Sequence, residues 1–285
     1  MSVITFWNNN TGKIGQTHSA MAIANYMAVE HNYKILLIST RYNDDVTNQA
    51  YGLNMQAETV KSLVNNKNTM DMESGIEGLA KLALSKRLTP EMIPNYTRMI
   101  LRNRLEIIAG PIKKENDDQD IDYERIYGSC KSIINIARQY YDIVFVDLNN
   151  GKEDPVTEEI IKKSNVVIAN IEQKQTELDK MAELRKNFLP EAGTLILMNR
   201  YDRESKYSYK NATRFLNEKK DLLAVPYCTL YAEAVQDGRL AEFFLNPKLR
   251  KMQDTTDKNA FFMSELKRDC DAIIYKMQEL QMRIG

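Results

Sequence analysis

The sequence predicts an α/β protein, a mostly parallel, doubly wound sheet of about seven strands with helices on both faces. Three observations carry this. Apolar runs of strand length recur at Val3–Phe6, Ile35–Ser39, Leu105–Ile108, Ile143–Val146, Val166–Asn170, Thr194–Met198 and Leu222–Val225. They are continuous rather than alternating, as strands covered on both faces are. Helix-like segments separate them, and that alternation closes on a parallel sheet whose ligands bind at the carboxyl ends of the strands.

The elements follow in order. The first strand runs into a polar, glycine-bearing turn and then a small-residue helix, Gln16–Glu30. After the second strand, Tyr42–Arg104 is longer than one crossover needs and predicts roughly two or three inserted helices, one of them Ser74–Ser85. "KKENDDQDID" (Lys113–Asp122) reads as an exposed loop. Helices are predicted over Tyr123–Tyr140, Pro155–Lys163, Gln175–Phe188 and Tyr209–Asn217. From Glu242 onward strand signals stop, and Phe261–Gly285 reads as one long helix with apolar residues at helical spacing, among them Phe262, Leu266, Ile273 and Met277. Glu265, Asp269, Asp271 and Glu279 are read as part of its polar face, which favours packing over membrane targeting. Residues 1–244 are thus expected to form one domain with a helical insertion at 42–104, and 245–285 a helical extension of it.

Composition bounds the function. The 285 residues are 43% hydrophobic and 27% charged, which suits a globular protein. Formal net charge is zero, so the overall balance gives no support for a dedicated DNA binder. No apolar run approaches the ~20 residues of a membrane span, and the start lacks the basic and apolar regions of a signal peptide. Cys130, Cys228 and Cys270 are scattered without metal spacing. The expectation is a reduced, cytoplasmic setting.

The chemistry concentrates in "NTGKIGQTHS" (Asn10–Ser19). A phosphate-binding loop, G-x-x-x-x-G-K-[ST], stands between a strand and a helix: backbone N–H groups surround phosphate, the lysine adds charge and the hydroxyl ligates Mg²⁺. Here Gly15 holds the second glycine position and Thr17 the hydroxyl position. Gln16 stands where the lysine belongs, and Asn10 where the first glycine belongs. An ordinary strand–turn–helix without a ligand is as good an account of this loop taken alone. For a phosphate to enter, Trp7 and Gln16 must leave the turn clear.

"IGQTHSAMAIANYMA" resembles the ParA/MinD family of deviant-Walker P-loop ATPases, whose loop reads KGGxGKTT before a small-residue helix. Thr11 stands at the family's signature lysine and Lys13 on a family glycine, so both lysines are displaced or lost. The closer likeness is to lysine-poor members such as the TadZ/CpaE-type pilus-assembly proteins. The resemblance implies a P-loop NTPase fold binding ATP and Mg²⁺. By position the loop contacts are Thr11, Gly12, Lys13, Ile14, Gly15, Gln16, Thr17 and His18, although His18 by itself reads as a packing or capping residue.

Three later segments keep the family's order. "YYDIVFVDLNNG" ends its strand in Asp147, the candidate Mg²⁺ ligand beside Thr17; a plain turn cap is the alternative. "TLILMNRYD" resembles the N-[KR]-x-D element, making Asn199 the candidate for adenine recognition, with a common turn asparagine as the even alternative. "LLAVPYCTLYAEA" places Pro226 and Tyr227 at the expected wall of a base pocket.

The pattern fails at the second strand, where the family carries I-D-x-D. This chain reads "LLISTRYNDD", with Ser39 and Arg41 in place of both acids and Asp44 and Asp45 displaced further on. Phosphoryl transfer rests on positioning and charge, and losing one such donor costs ~10²–10³ in rate. The expectation is weak nucleotide binding with slow or absent hydrolysis. The resemblance implies a homodimer acting as a scaffold or positioning factor for protein partners of a secretion, pilus or partition complex. Any membrane contact would be indirect, and DNA is not an expected partner. The alternatives are a pseudo-ATPase interaction protein that binds no nucleotide, and an active ATPase using Lys13 as a relocated lysine.

Overall fold

A computed structural model describes residues 1–10, 12–42, 45–53, 75–111, 119–149, 151, 154–190, 193–217 and 222–284. The strands are β1 (Ser2–Trp7), β2 (Ile35–Ser39), β3 (Arg98–Leu101), β4 (Leu105–Ile108), β5 (Ile143–Asp147), β6 (Val166–Ile171), β7 (Thr194–Tyr201) and β8 (Leu222–Pro226). They form one eight-stranded sheet in the order β3-β4-β2-β5-β1-β6-β7-β8. Every pairing is parallel except β3 with β4.

The sheet is the expected one with one strand more. β3 is a four-residue antiparallel edge whose Met99 is 66% exposed. A short edge strand needs no continuous apolar run, since one of its faces meets solvent.

The described helices are α1 (Gln16–Glu30), α2 (Asp45–Ala50), α3 (Ile76–Leu84), α4 (Gln119–Ala137), α5 (Pro155–Lys163), α6 (Gln175–Asn187), α7 (Tyr209–Leu216), α8 (Thr229–Gln236), α9 (Leu240–Leu245), α10 (Pro247–Arg250) and α11 (Lys258–Ile284). The last four residues of the loop expected at Lys113–Asp122 are helical, because α4 starts at Gln119; residues 112–118 lie outside the described set. A 3₁₀ turn at Pro90–Tyr96 leads into β3.

Two apolar layers sandwich the sheet. Ile4, Phe6, Leu37 and Phe145 face α1, α8, α9 and α11. Val3, Trp7, Leu36 and Val146 face α3, α4, α5 and α6. α1 is buried along nearly its whole length; Ala20, Ala22, Ala24 and Ala28 let it lie close between the sheet and α11. α11 turns Phe262, Leu266, Cys270, Ile273 and Met277 inward at helical spacing.

Asp269 departs from the polar-face expectation. It is fully buried, and its carboxylate accepts the Ala224 backbone N–H at 3.1 Å. β8 is the outer strand on that side of the sheet, and the carboxylate satisfies an N–H with no neighbouring strand to take it. No helix among the described residues is long and apolar enough to cross a membrane.

Candidate functional site

The carboxyl ends of β1, β2, β5, β6 and β7 converge beneath the loop that leads into α1. Phe6 and Ser39 each lie opposite Asp147 across the sheet, so Asp147 reaches the crevice from the middle of the row. Trp7 points to the other face, 5.0 Å from the Phe188 ring, and does not enter the loop.

Gly15 opens α1 at φ 95°, a backbone that favours glycine. A Cβ there would also stand 3.5 Å from Asn199 Cβ and 3.6 Å from Arg200 Nε. No side chain caps the helix, and its first turn carries no acidic residue. The leading N–H groups of α1 have no partner within the helix, and its dipole favours an anion there. Gly12 and Lys13 are exposed, Ile14 is buried, and Thr11 lies outside the described residues.

The residue at the lysine position turns under the loop. Gln16 is 1% exposed. Its Nε2 lies 2.6 Å from Asp147 Oδ1, 2.8 Å from the Leu148 carbonyl and 3.1 Å from the Phe6 carbonyl. Its Oε1 accepts from Asn8 Nδ2 at 2.6 Å. Thr17 Oγ1 donates to the other carboxylate oxygen of Asp147, also at 2.6 Å. Asp147 thus has each oxygen engaged by a neutral donor. A lysine here would add a charge; the amide only fastens loop to sheet.

Sequence reading missed the supporting residues. Asn8 also accepts the Asn10 N–H at 2.8 Å through its side chain. Asn10 Nδ2 donates to Glu177 Oε2 at 2.5 Å, and Lys180 Nζ reaches Asn10 Oδ1 at 3.2 Å. The loop is therefore tied to the start of α6. The legible signal was a run of three asparagines directly after a strand.

Asn199 is brought against the loop but is employed internally. Its Oδ1 accepts the Ser19 hydroxyl at 2.6 Å, and its Nδ2 faces the Ile171 carbonyl at 3.5 Å. A bulge between β7 and β8 follows it. Arg200 sits there at φ 51° with its side chain exposed and its stem beside Gly15. The N-[KR]-x-D resemblance includes this arginine but assigned it no contact. His18 is half-buried; Tyr231 donates its hydroxyl to the His18 carbonyl at 2.6 Å, so α8 rests on the first turn of α1. Burial pushes the Tyr231 phenol well above its ordinary pKa, so it stays a donor. Pro226 ends β8 in the core, while Tyr227 is 58% exposed.

The exit of β2 is also tied down. Thr40 N–H donates to the Asp147 carbonyl at 3.0 Å, and Thr40 Oγ1 accepts the Asn149 N–H at 3.0 Å. Gly110, past β4, lies so close that a Cβ would stand 2.0 Å from the Arg41 carbonyl oxygen. Asp44 lies outside the described residues, and Asp45 opens α2.

These groups fit a metal–nucleotide in part. A hydroxyl and a carboxylate side by side, Thr17 and Asp147, are the donor set a hard divalent cation takes. An uncapped helix N-terminus suits phosphate. The lysine position holds Gln16, and the family's acid positions at the end of β2 hold Ser39 and Arg41. Among the described residues no group of three His, Cys, Asp or Glu side chains is placed to hold a metal ion.

The architecture is that of ParA/MinD-type P-loop ATPases. The chain is similar in structure to a ParA family ATPase from Chlorobium tepidum (TM-score 0.65, 16% identity, 96% of this chain and 97% of that one). It is similar to the Pyrococcus furiosus cell division ATPase MinD (TM-score 0.63, 14% identity, 96% and 99%). A third neighbour is a putative plasmid partition protein from Borrelia burgdorferi bound to AMPPNP (TM-score 0.60, 16% identity, 96% and 99%). At these identities the likeness is one of fold. No protein-family model matches the chain, and no curated protein matches it in sequence.

Proposed function

We propose that this chain is a positioning or scaffold protein that binds ATP with Mg²⁺ weakly, hydrolyses it slowly or not at all, and acts by forming a homodimer. The observation that supports this most directly is the pairing of Thr17 with Asp147 below an uncapped helix N-terminus, with Gln16 in the lysine position. Structural neighbours named as plasmid partition and septum-site or cell-division proteins support a positioning role, and two were crystallised with AMPPNP or Mg-ADP. Gly12, Gly15 and Thr17 would hold phosphate, with Thr17 and Asp147 on the metal. Asn199, Pro226 and Tyr227 remain the proposed base contacts. Partners would be proteins of a partition, secretion or pilus complex in the cytoplasm.

A second reading draws on one specific observation. Gln16 and Thr17 donate to both oxygens of Asp147, so protein groups alone satisfy that carboxylate. On that reading the chain is an interaction protein without a nucleotide. Titration calorimetry with ATP and Mg²⁺ separates the two. Dissociation constants near millimolar are expected for wild type, at least tenfold tighter for Gln16→Lys, a gain of about 1.4 kcal/mol. No heat from either protein at millimolar ATP would leave only the interaction reading. Phosphate release above background that Lys13→Ala abolishes would instead revive an ATPase built on exposed Lys13.

A further inference from the structure

A groove of about 530 Å³ lies between α8, α9 and α10, away from the loop. Phe243 and Leu249 form its buried floor, while Leu230 and Leu245 stand 45% and 50% exposed on its walls. The two half-exposed leucines and the phenylalanine floor give a small apolar strip that partner side chains can cover. The rim is acidic. Glu233 and Asp237 are one turn apart on α8, and Glu242 stands on α9. Arg239 neutralises Glu242 at 2.7 Å. Glu233 and Asp237 are exposed and have no ion pair among the described residues.

The geometry points to this groove as the docking site for a basic amphipathic helix of a partner protein. Apolar residues at i, i+3 and i+4 of such a helix would cover Leu230, Leu245 and Phe243. Its lysines or arginines would meet Glu233 and Asp237, whose spacing matches one helical turn. The same carboxylates oppose an anionic lipid surface or a nucleic acid. The inference stands on the groove alone and does not require that nucleotide bind.

The test is fluorescence anisotropy of the full chain with a labelled 18-residue amphipathic Lys/Leu helix, its Glu/Leu counterpart and a scrambled Lys/Leu peptide. Micromolar binding of the first is expected, at least tenfold weaker for the other two. Glu233→Lys with Asp237→Lys should weaken it at least tenfold, and Leu230→Ser with Leu245→Ser likewise, with circular dichroism unchanged. Asp179→Lys with Glu183→Lys, an exposed acidic pair at the same spacing on α6, should leave it intact. Equal loss in both charge-reversed proteins, or no saturable binding, overturns the proposal. So does a dimer seen by light scattering that Leu245→Asp dissolves, which would make a second copy the occupant.

Discussion

Asp147 and Asp269 are both sealed from solvent, at 1% and 0% exposure, yet they are held differently. Asp147 sits at the end of a central strand, with side-chain donors from the adjoining helix on both oxygens. Asp269 reaches from α11 to a backbone N–H of the outer strand, with Arg268 Nη2 3.2 Å away. Side-chain donors can rotate away from a carboxylate; a strand amide cannot. Burial alone therefore does not tell the two acids apart, whereas the backbone N–H that holds Asp269 does.

Removing each acid tests that contrast. Asp147→Ala strands two buried donors and should cost about 2–4 kcal/mol in urea unfolding. A cost below that of an ordinary surface change would show that Gln16 and Thr17 re-pair without it. Asp269 should give the opposite sign. Burial raises its pKa well above the usual carboxylate value, against the smaller lowering by Arg268. The folded state then holds a proton that the unfolded chain releases, so stability falls as pH rises above about 4. Asp269→Asn keeps an acceptor for Ala224, removes that titration and should flatten the decline. Its stability relative to wild type should therefore rise steadily from acid to neutral pH. Parallel pH profiles of melting temperature for the two proteins would refute this. The smallest effect belongs to Asn10→Ala, which unties the loop from α6. It should cost at most about 1 kcal/mol while speeding amide hydrogen exchange in the loop.

Much of this was legible beforehand. Seven of the eight strands announced themselves because central parallel strands are apolar on both faces. The edge strand β3 did not, since Arg98 and Met99 face solvent. The strand–loop–helix order and Asp147 were readable from spacing. The fate of Gln16 was not: sequence records that a lysine is missing, not that an amide has folded beneath the loop onto three strand-end acceptors. Arg200 fell within the N-[KR]-x-D element, but its contact with Gly15 depends on a bulge and a positive φ that no local pattern announces. Asp269 looked like surface because helical spacing cannot reveal that an outer strand on the neighbouring face needs an acceptor.

The contact between Gly110 and the Arg41 carbonyl limits which residues the two loops accept. Two crossover exits meet there main chain to main chain, and Thr40 stitches one of them to Asp147. A side chain substituted at position 39 or 41 would inherit that fixed main-chain path. Any residue larger than glycine at position 110 would have to push the β2 exit aside, and the bond between Thr40 and Asp147 along with it.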